Sequence, residues 1–311
     1  MRGARVEETE SGKHLGHATL GLLVEDWSVP IMRELLGGSR RPSELEQRIP
    51  EAPHSALMRR LGEMEAMGIV TKERFSGLPP RAQYALTGEG RTAIRIVGAA
   101  RSWERAWSPG TEDGIEALKL IADQRNREIL LALAAGRMAP TALEQRLSGS
   151  RSTVTQRLAE LARKGILARN VEDGHVWYEL TDCARELALV GVAAARWEWQ
   201  WARPTEPVSP SLVADVLHLF APLVDLPAEL AGICRLHVDS GTDGSEVYLA
   251  ADGYRLAALA SPGKRPRGAC NGTPQGWVDG LLLRRWRGVT PTGDRALVAA
   301  MLASMSAALI Q

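Results

Sequence analysis

The feature that most constrains this 311-residue chain is an internal repeat with a spacing of 94 to 98 residues. Short blocks recur in the same order: residues 45–48 match 143–146, 60–61 match 157–158, 68–69 match 165–166, 84–87 match 178–181, and 103–107 match 197–201. The spacing shrinks only between the blocks, in stretches where loops tolerate insertions. We therefore interpret residues about 18–107 and 115–201, called the first and second repeat, as two copies of one small domain.

The apolar pattern of the first repeat predicts three helices, two strands and a final long helix. The helices are 27–36, 42–49 and about 53–68, the strands are 69–75 and 82–86 with a loop at 76–80, and the last helix is about 88–107. This order is typical of a winged helix-turn-helix, whose third helix enters a groove of DNA. The second repeat has the same order with a shorter wing at residues 171–175.

Three motifs of the first repeat are distinctive. They are Asp26-Trp27-Ser28 with Ile31-Met32 and Leu35, Gly38 and Arg40-Arg41-Pro42 with Glu44-Leu45, and Pro79-Pro80-Arg81 with Tyr84, Leu86-Thr87 and Gly90. Together they resemble the HxlR family of bacterial winged-helix regulators over nearly the whole repeat. The second repeat has Arg125 where the first has Trp27, so it looks like a diverged version. Some members of that family sense oxidants through a cysteine near the N-terminus, whereas residues 1–107 contain no cysteine.

Helical phase predicts which side chains face DNA, because residues opposite the apolar stripe of the third helix point outward. The predicted contacts are His54, Ser55, Arg59, Arg60, Arg74 and Arg81 in the first repeat and Arg151, Ser152, Thr153, Thr155 and Gln156 in the second. Arginine pairs with guanine and glutamine with adenine, so Arg59 and Gln156 are expected to read bases. Arg74 and Arg81 flank the wing and suit phosphate or the minor groove. The alternative is that these are ordinary solvated faces.

The charge of the chain argues for modest affinity. The net charge is +1 overall, with +2 over residues 1–107, 0 over 108–204 and −1 over 205–311. Phosphate neutralisation supplies most non-specific affinity for DNA, and a strong binder usually carries a clear basic surplus. We therefore expect salt-sensitive binding, or binding by only one of the repeats.

Two tryptophan clusters end the two repeats. A single-copy winged-helix regulator normally dimerises, so that two helices meet successive major grooves about 34 Å apart. A tandem chain can build the same pair internally. The candidates for packing the repeats together are Trp103, Trp107, Trp197, Trp199 and Trp201. The same residues also suit a plain core or the wall of a ligand pocket.

After a linker with Pro204, Pro207 and Pro210, the pattern of apolar and turn-forming residues changes. The pattern predicts helices over 211–220, 277–283 and 295–310 and strands over 233–238, 246–250 and 254–261. Thr273-Pro274, Trp277, Leu281-Leu282 and the stretch 287–297 resemble the C-terminal half of the sterol-carrier-protein type 2 family. That resemblance implies a layered α/β fold around an apolar tunnel, with Trp277, Leu281, Leu282 and Trp286 as candidate ligand-lining residues. Their alternative role is to fill a core.

The sequence thus predicts an α+β chain with two tandem winged helix-turn-helix domains, residues 1–110 and 111–204, and a C-terminal α/β ligand-binding domain, residues 205–311. We expect a cytoplasmic transcription regulator whose affinity for double-stranded DNA is controlled by a hydrophobic or aromatic small molecule. Pairing of two chains into a homodimer stays open. An alternative is a small-molecule sequestering protein that has lost DNA binding, which the weak net charge and nine Trp against two Phe favour.

Other functions lack the residues they need. No signal peptide or membrane span is expected, and no cofactor motif is present. His14 and His17 share a helical spacing but have no further metal ligands nearby, and the three cysteines are far apart. No pair of carboxylates stands out as an acid and base, so we do not expect an enzyme.

Overall fold

A computed structural model describes residues 15–76, 81–108, 110, 113–147, 149–202, 207–241 and 244–310, without the side chains of residues 81, 228 and 229. The first repeat consists of α1 (His17–Val24), α2 (Ser28–Leu36), α3 (Pro42–Arg48), α4 (His54–Ala66), β1 (Val70–Phe75), β2 (Arg81–Leu86) and α5 (Gly88–Trp107). The predicted order is confirmed for this repeat. One element is added, because the apolar stretch at residues 20–24 lies in the helix α1.

The second repeat follows the same order of elements. It consists of α6 (Ile115–Ala122), α7 (Gln124–Ala132), α8 (Pro140–Arg146), α9 (Arg151–Arg163), β3 (Leu167–Glu172), β4 (His175–Leu180) and α10 (Asp182–Trp197), which continues as a π-helical turn over Glu198–Ala202. Small details recur as well. Thr87 and Thr181 each accept a backbone N–H at the start of the following long helix and donate to two carbonyl oxygens before the hairpin. The similarity of sequence is therefore also a similarity of local structure.

The long helices α5 and α10 pack against each other in opposite directions. The indole Nε1 of Trp103 donates to the backbone oxygen of Cys183 at 2.9 Å, and that of Trp197 donates to the backbone oxygen of Glu89 at 2.8 Å. Both tryptophans are buried. The two donors, at positions 103 and 197, are 94 residues apart, and so are the two acceptors, at positions 89 and 183. Each repeat therefore gives the other the same contact that it receives.

A second exchange caps the first helix of each repeat. Both helices follow a left-handed glycine, Gly16 or Gly114, which has no side chain to satisfy the free N–H groups of the first turn. Glu198 accepts from the backbone N and Oγ1 of Thr19 in α1, at 3.1 and 3.2 Å. Glu104 accepts from the backbone N of Gly114 and Ala117, at 2.7 and 3.1 Å. A buried carboxylate from one repeat thus caps a helix of the other. Its negative charge also interacts favourably with the positive end of the helix dipole.

The C-terminal region places three helices around a mixed sheet. Its elements are α11 (Pro210–Phe220), β5 (Asp225–Val238), β6 (Ser245–Leu259), β7 (Gly268–Gly272), α12 (Pro274–Leu283), β8 (Val289–Gly293) and α13 (Arg295–Ala308). The strand order is β6-β5-β7-β8, and only β5 and β7 are parallel. Helix α13 packs against β5, β7 and β8, whereas α11 packs against β6.

The strands of this region differ from the prediction. The two segments predicted at 246–250 and 254–261 form one strand, β6, which continues through Gly253 at φ +63°. The short strands β7 and β8 were not predicted, because their glycine, proline and threonine residues show little apolar alternation. Among the described helices, none combines the length and the apolar character needed to cross a bilayer.

Candidate nucleic-acid interface

Helix α4 presents the surface that helical phase predicts. Leu57, Leu61 and Met64 are fully buried under the helix. Ser55 and Arg59 are exposed on the opposite side, and a side chain added at Gly62 would meet open space. In the described part of the chain, the ion pair of Arg59 is a long contact to Glu63, 3.8 Å between Nη1 and Oε1, and 61% of the Arg59 side chain is exposed. A guanidinium in this position is free to bind a guanine or a phosphate.

His54 lies at the first turn of α4. Its side chain is 69% exposed and its Nδ1 contacts Oε1 of Glu46 in α3. The contact links the two helices of the helix-turn-helix, so His54 also has a local structural role beside the predicted contact with DNA.

Helix α9 has the matching arrangement in the second repeat. Val154, Leu158 and Leu161 are buried, as predicted. The outward side chains form a shallow concave surface lined by Ser150, Arg151, Ser152, Thr155, Gln156 and Ala159. Ser150 caps the helix by accepting from the backbone N of Thr153 and lies within hydrogen-bond distance of the Ser152 and Thr153 hydroxyls. Hydroxyls and one amide therefore line this surface beside Arg151, which pairs with Glu144 at 3.2 Å while 79% of its side chain stays exposed.

The structure corrects the placement of Arg60. Its side chain is only 2% exposed, and its guanidinium pairs with Glu25 at 2.8 Å and with Glu63. It links Glu25, the residue that ends α1, to α4 and is not on the surface predicted to face DNA. Arg157 holds the equivalent place in the second repeat, paired with Asp123 at 3.1 Å and Glu160 at 3.3 Å. The recurring acid three positions after each arginine is the sequence feature that would have revealed this role.

The two wings differ. Arg74 is exposed near the end of β1, and Arg81 begins β2, but the Arg81 side chain and the wing tip at residues 77–80 lie outside the described residues. In the second repeat Asp173 and Gly174, both at positive φ, close a two-residue turn. Beside that turn Glu172 pairs with Arg137 at 2.6 Å. The residue of the second wing that corresponds to Arg74, 97 positions later, is Val171, and the exposed arginine of β3 is Arg169.

Comparison with known proteins matches residues 22–112 to a family described as HxlR-like helix-turn-helix. The HTH-type transcriptional regulator YvaP of Bacillus subtilis is 34% identical over 86 residues, which are 28% of this chain and 80% of that protein. An HTH-type transcriptional regulator of Methanothermobacter thermautotrophicus is 32% identical over 90 residues, which are 29% of this chain and 69% of that protein.

The chain belongs to the HxlR-like helix-turn-helix family.

The family match covers α2 to α5 and ends before the second repeat. The helix-turn-helix of this HxlR-like protein is therefore α3 and α4, with β1 and β2 as its wing. A crystal structure of a MarR-family regulator from Enterococcus faecalis V583 is 29% identical and covers 33% of this chain and 94% of that chain. Its TM-score of 0.29 is too low to support a conclusion.

The cysteines of this HxlR-like protein are all outside the first repeat. Cys183, Cys234 and Cys270 are buried and unpaired. Burial raises the pKa of Cys183 and Cys234 to about 11 and that of Cys270 to about 12. A thiol with a raised pKa is a poor nucleophile at neutral pH. Within the described ranges, no group of three or more His, Cys, Asp or Glu residues is arranged to hold a metal ion.

The predicted ligand-lining tryptophans fall in different places. Trp103 and Trp197 lie in the contact between the repeats, Trp107 donates to Glu186 at 2.7 Å, and Trp201 is 41% exposed. Trp199, also a candidate for packing the repeats together, instead donates to Asp279 at 2.8 Å and joins the second repeat to α12.

Trp277 and Trp286 pack against each other at right angles, with ring centroids 6.1 Å apart. The Trp286 ring occupies the space that a side chain at Gly280 would need. Neither tryptophan lines the apolar cavity of the molecule. Leu281 and Leu282 do line it, together with residues of both repeats and of α11. The cavity thus lies between the two repeats and the C-terminal region and is not a tunnel within the C-terminal region.

Proposed function

We propose that this chain is a DNA-binding transcription regulator in which α4 and α9 read two half-sites of one duplex as an internal pair. In this proposal the second repeat is a diverged winged helix-turn-helix, and the tandem replaces the two subunits of a dimer. The observation that carries the proposal is the reciprocal contact between the repeats: Trp103 and Glu104 act on the second repeat as Trp197 and Glu198 act on the first.

Reciprocity of this kind is the mark of a two-fold interface, in which residue i meets j and j meets i. In a dimer the two partners are separate chains, whereas in this protein they are two segments of one chain. A two-fold relation presents equivalent helices to the duplex in equivalent ways, so half-sites about one helical turn apart are expected. The relatives described as HTH-type transcriptional regulators support the same assignment.

Control by a hydrophobic small molecule completes the proposal. The C-terminal region is then the sterol-carrier-like ligand-binding part, and its position against both repeats favours a role in setting their spacing. A ligand shifts such an equilibrium only through a difference in its affinity for the two arrangements. A ligand that binds both arrangements equally has no effect on DNA affinity.

Selection of duplexes from a random pool, followed by fluorescence anisotropy at low and moderate salt, tests the proposal. We expect a selected sequence with two half-sites, bound by one chain, with affinity that falls steeply as salt rises. Failure to retain any duplex at low salt contradicts the proposal. That outcome would favour the second candidate, a small-molecule sequestering protein. The apolar cavity and the ion-paired arginines of α9 support this candidate.

A further inference from the structure

The apolar cavity lies where the two repeats and the C-terminal region meet. Its volume is about 110 Å³, and its walls are almost entirely hydrocarbon. Contributing side chains include Leu20 of α1, Ile121 of α6, Val192 of α10, Val213 of α11 and Leu282 of α12. Apolar cavities of about 150 Å³ stay dry and accept benzene, so this cavity accommodates a ligand of roughly one ring or a short branched chain.

One charged side chain, Arg127 of α7, lines this apolar cavity. The residue is 8% exposed, and its Nη1 donates to the backbone oxygens of Ile121 and Ala122 at 2.7 and 2.6 Å. Its Nη2 lies 3.1 Å from Nδ1 of His17, in the first repeat. The Nε–H is buried and has no hydrogen-bond partner among the described residues. One donor of this buried guanidinium is therefore unsatisfied, in a residue that lines the cavity.

The positive charge of Arg127 has no close counter-ion. Asp123, Glu128 and Glu198 are near enough to act on it electrostatically, but in the described part of the chain no carboxylate lies within ion-pair distance. Asp123 pairs instead with Arg157, and Glu198 accepts from Thr19. A buried cation is costly unless an anion compensates it.

The repeat shows that the fold does not require this arginine. The equivalent position of the first repeat, 98 residues earlier, is Val29, which is buried at 1% exposure. The same helix therefore packs well with an apolar residue at this position. An unpaired cation in place of a valine, at the wall of an apolar cavity, is the arrangement that a ligand anion would complete.

We infer that this cavity binds a small apolar carboxylate, with one ring or a short branched chain, whose carboxylate pairs with Arg127. The inference deepens the ligand control proposed above and rests on it for the effect on DNA, but not for binding itself. Helix α11 carries Val213 and Val216 on the cavity wall, and its Asp215 lies 3.4 Å from Arg146 of α8. A ligand that moves α11 therefore acts on the helix next to α9.

Isothermal titration of the full chain with benzoate, 3-methylbutanoate and the neutral benzyl alcohol, in the absence of DNA, tests the inference. We expect one site per chain and at least about tenfold preference for benzoate over benzyl alcohol, because an ionic hydrogen bond is worth this factor or more. Arg127→Gln should abolish the preference, and Arg127→Lys should retain part of it. Val216→Phe should prevent the binding of all three ligands by filling the cavity. Arg125→Gln is the matched control, since Arg125 is exposed two residues away.

The inference is overturned if neither carboxylate binds the wild type, if Arg127→Gln leaves the preference intact, or if Val216→Phe binds benzoate normally. Circular dichroism establishes whether each variant is folded. If Arg127→Gln does not fold, Arg127→Lys provides the test of the role of the guanidinium. Anisotropy with the selected duplex is recorded separately. Duplex binding without carboxylate binding contradicts this inference alone, whereas carboxylate binding without duplex binding contradicts the proposed function alone.

Discussion

The two repeats keep the same buried contacts but use their surface charges differently. In the first repeat Arg59 and Arg74 are exposed, and Arg59 has only a distant acidic neighbour. In the second repeat Arg151 pairs with Glu144 and Arg137 pairs with Glu172. The contacts that hold the repeats together recur in detail, while the outward faces differ. The two repeats thus share a buried frame and have unequal surfaces.

The strongest test of the shared frame is the contact between the repeats. Trp103→Ala and Trp197→Ala should each lower the free energy of unfolding by about 3–5 kcal/mol, because each removes a large buried side chain together with its hydrogen bond to the other repeat. The two losses should be similar. Trp107→Ala is the control, since that residue is 41% exposed. Urea unfolding measures all three, and a neutral result for one buried tryptophan would break the equivalence.

The unequal surfaces are tested by base discrimination. Arg59→Ala and Gln156→Ala should each cost about 1–3 kcal/mol of binding to the selected duplex and relax the preference at one base pair in different half-sites. Arg163→Ala, at the far end of α9, should change little. Anisotropy against single-base variants of the duplex measures this. An equal loss on every sequence would indicate phosphate contact instead.

Arg60 and Arg157, the ion-paired arginines at equivalent positions of α4 and α9, allow the stability of the two repeats to be compared. Arg60→Ala should cost about 2 kcal/mol of stability, less than a fully buried pair because its partners Glu25 and Glu63 can hydrate once freed. Arg157 is 27% exposed, and Arg157→Ala should cost only about 1 kcal/mol. Thermal unfolding measures both. Neither variant should alter base preference, and a change at one base pair would return Arg60 to the interface.

A smaller effect concerns the ion pair that attaches α11 to the second repeat. Arg146 faces Asp215, whereas the equivalent Arg48 faces Glu34 of its own repeat. Burial raises the pKa of Asp215 to about 6, although Arg146 opposes the shift. The folded state then binds the proton more tightly than the unfolded chain, so stability should fall as pH rises from about 4 to about 6. Asp215→Asn should flatten that part of the pH profile, and an unchanged slope in urea unfolding would refute the assignment.

Much of the first repeat was predictable, because local pattern decides helix order and the buried stripe of α4. The contacts across repeats were not. Whether Arg60 lies inside depends on Glu25, which is 35 residues away, and the capping of α1 by Glu198 spans 179 residues. The tryptophan clusters were assigned to three alternative roles, and only tertiary structure separates Trp103 in the contact from the exposed Trp201.

The wall of the apolar cavity was predictable in part. Leu281 and Leu282, predicted to line a tunnel within the C-terminal region, line this cavity between the regions instead. The place of Arg127 on the wall was not predicted, because nothing in the local sequence distinguishes a buried arginine from a solvated one. Alignment of the repeats offers the missing information, since a valine in one repeat and an arginine in the other at the same buried position is a difference that packing alone does not explain.

The internal pair is tested most directly by footprinting the selected duplex at known stoichiometry. Hydroxyl-radical protection, combined with analytical ultracentrifugation of the complex, should show one chain covering two half-sites about 10 base pairs apart. Insertion of half a helical turn between the half-sites should abolish joint protection. Two chains on one duplex, or protection of a single half-site, would contradict the account.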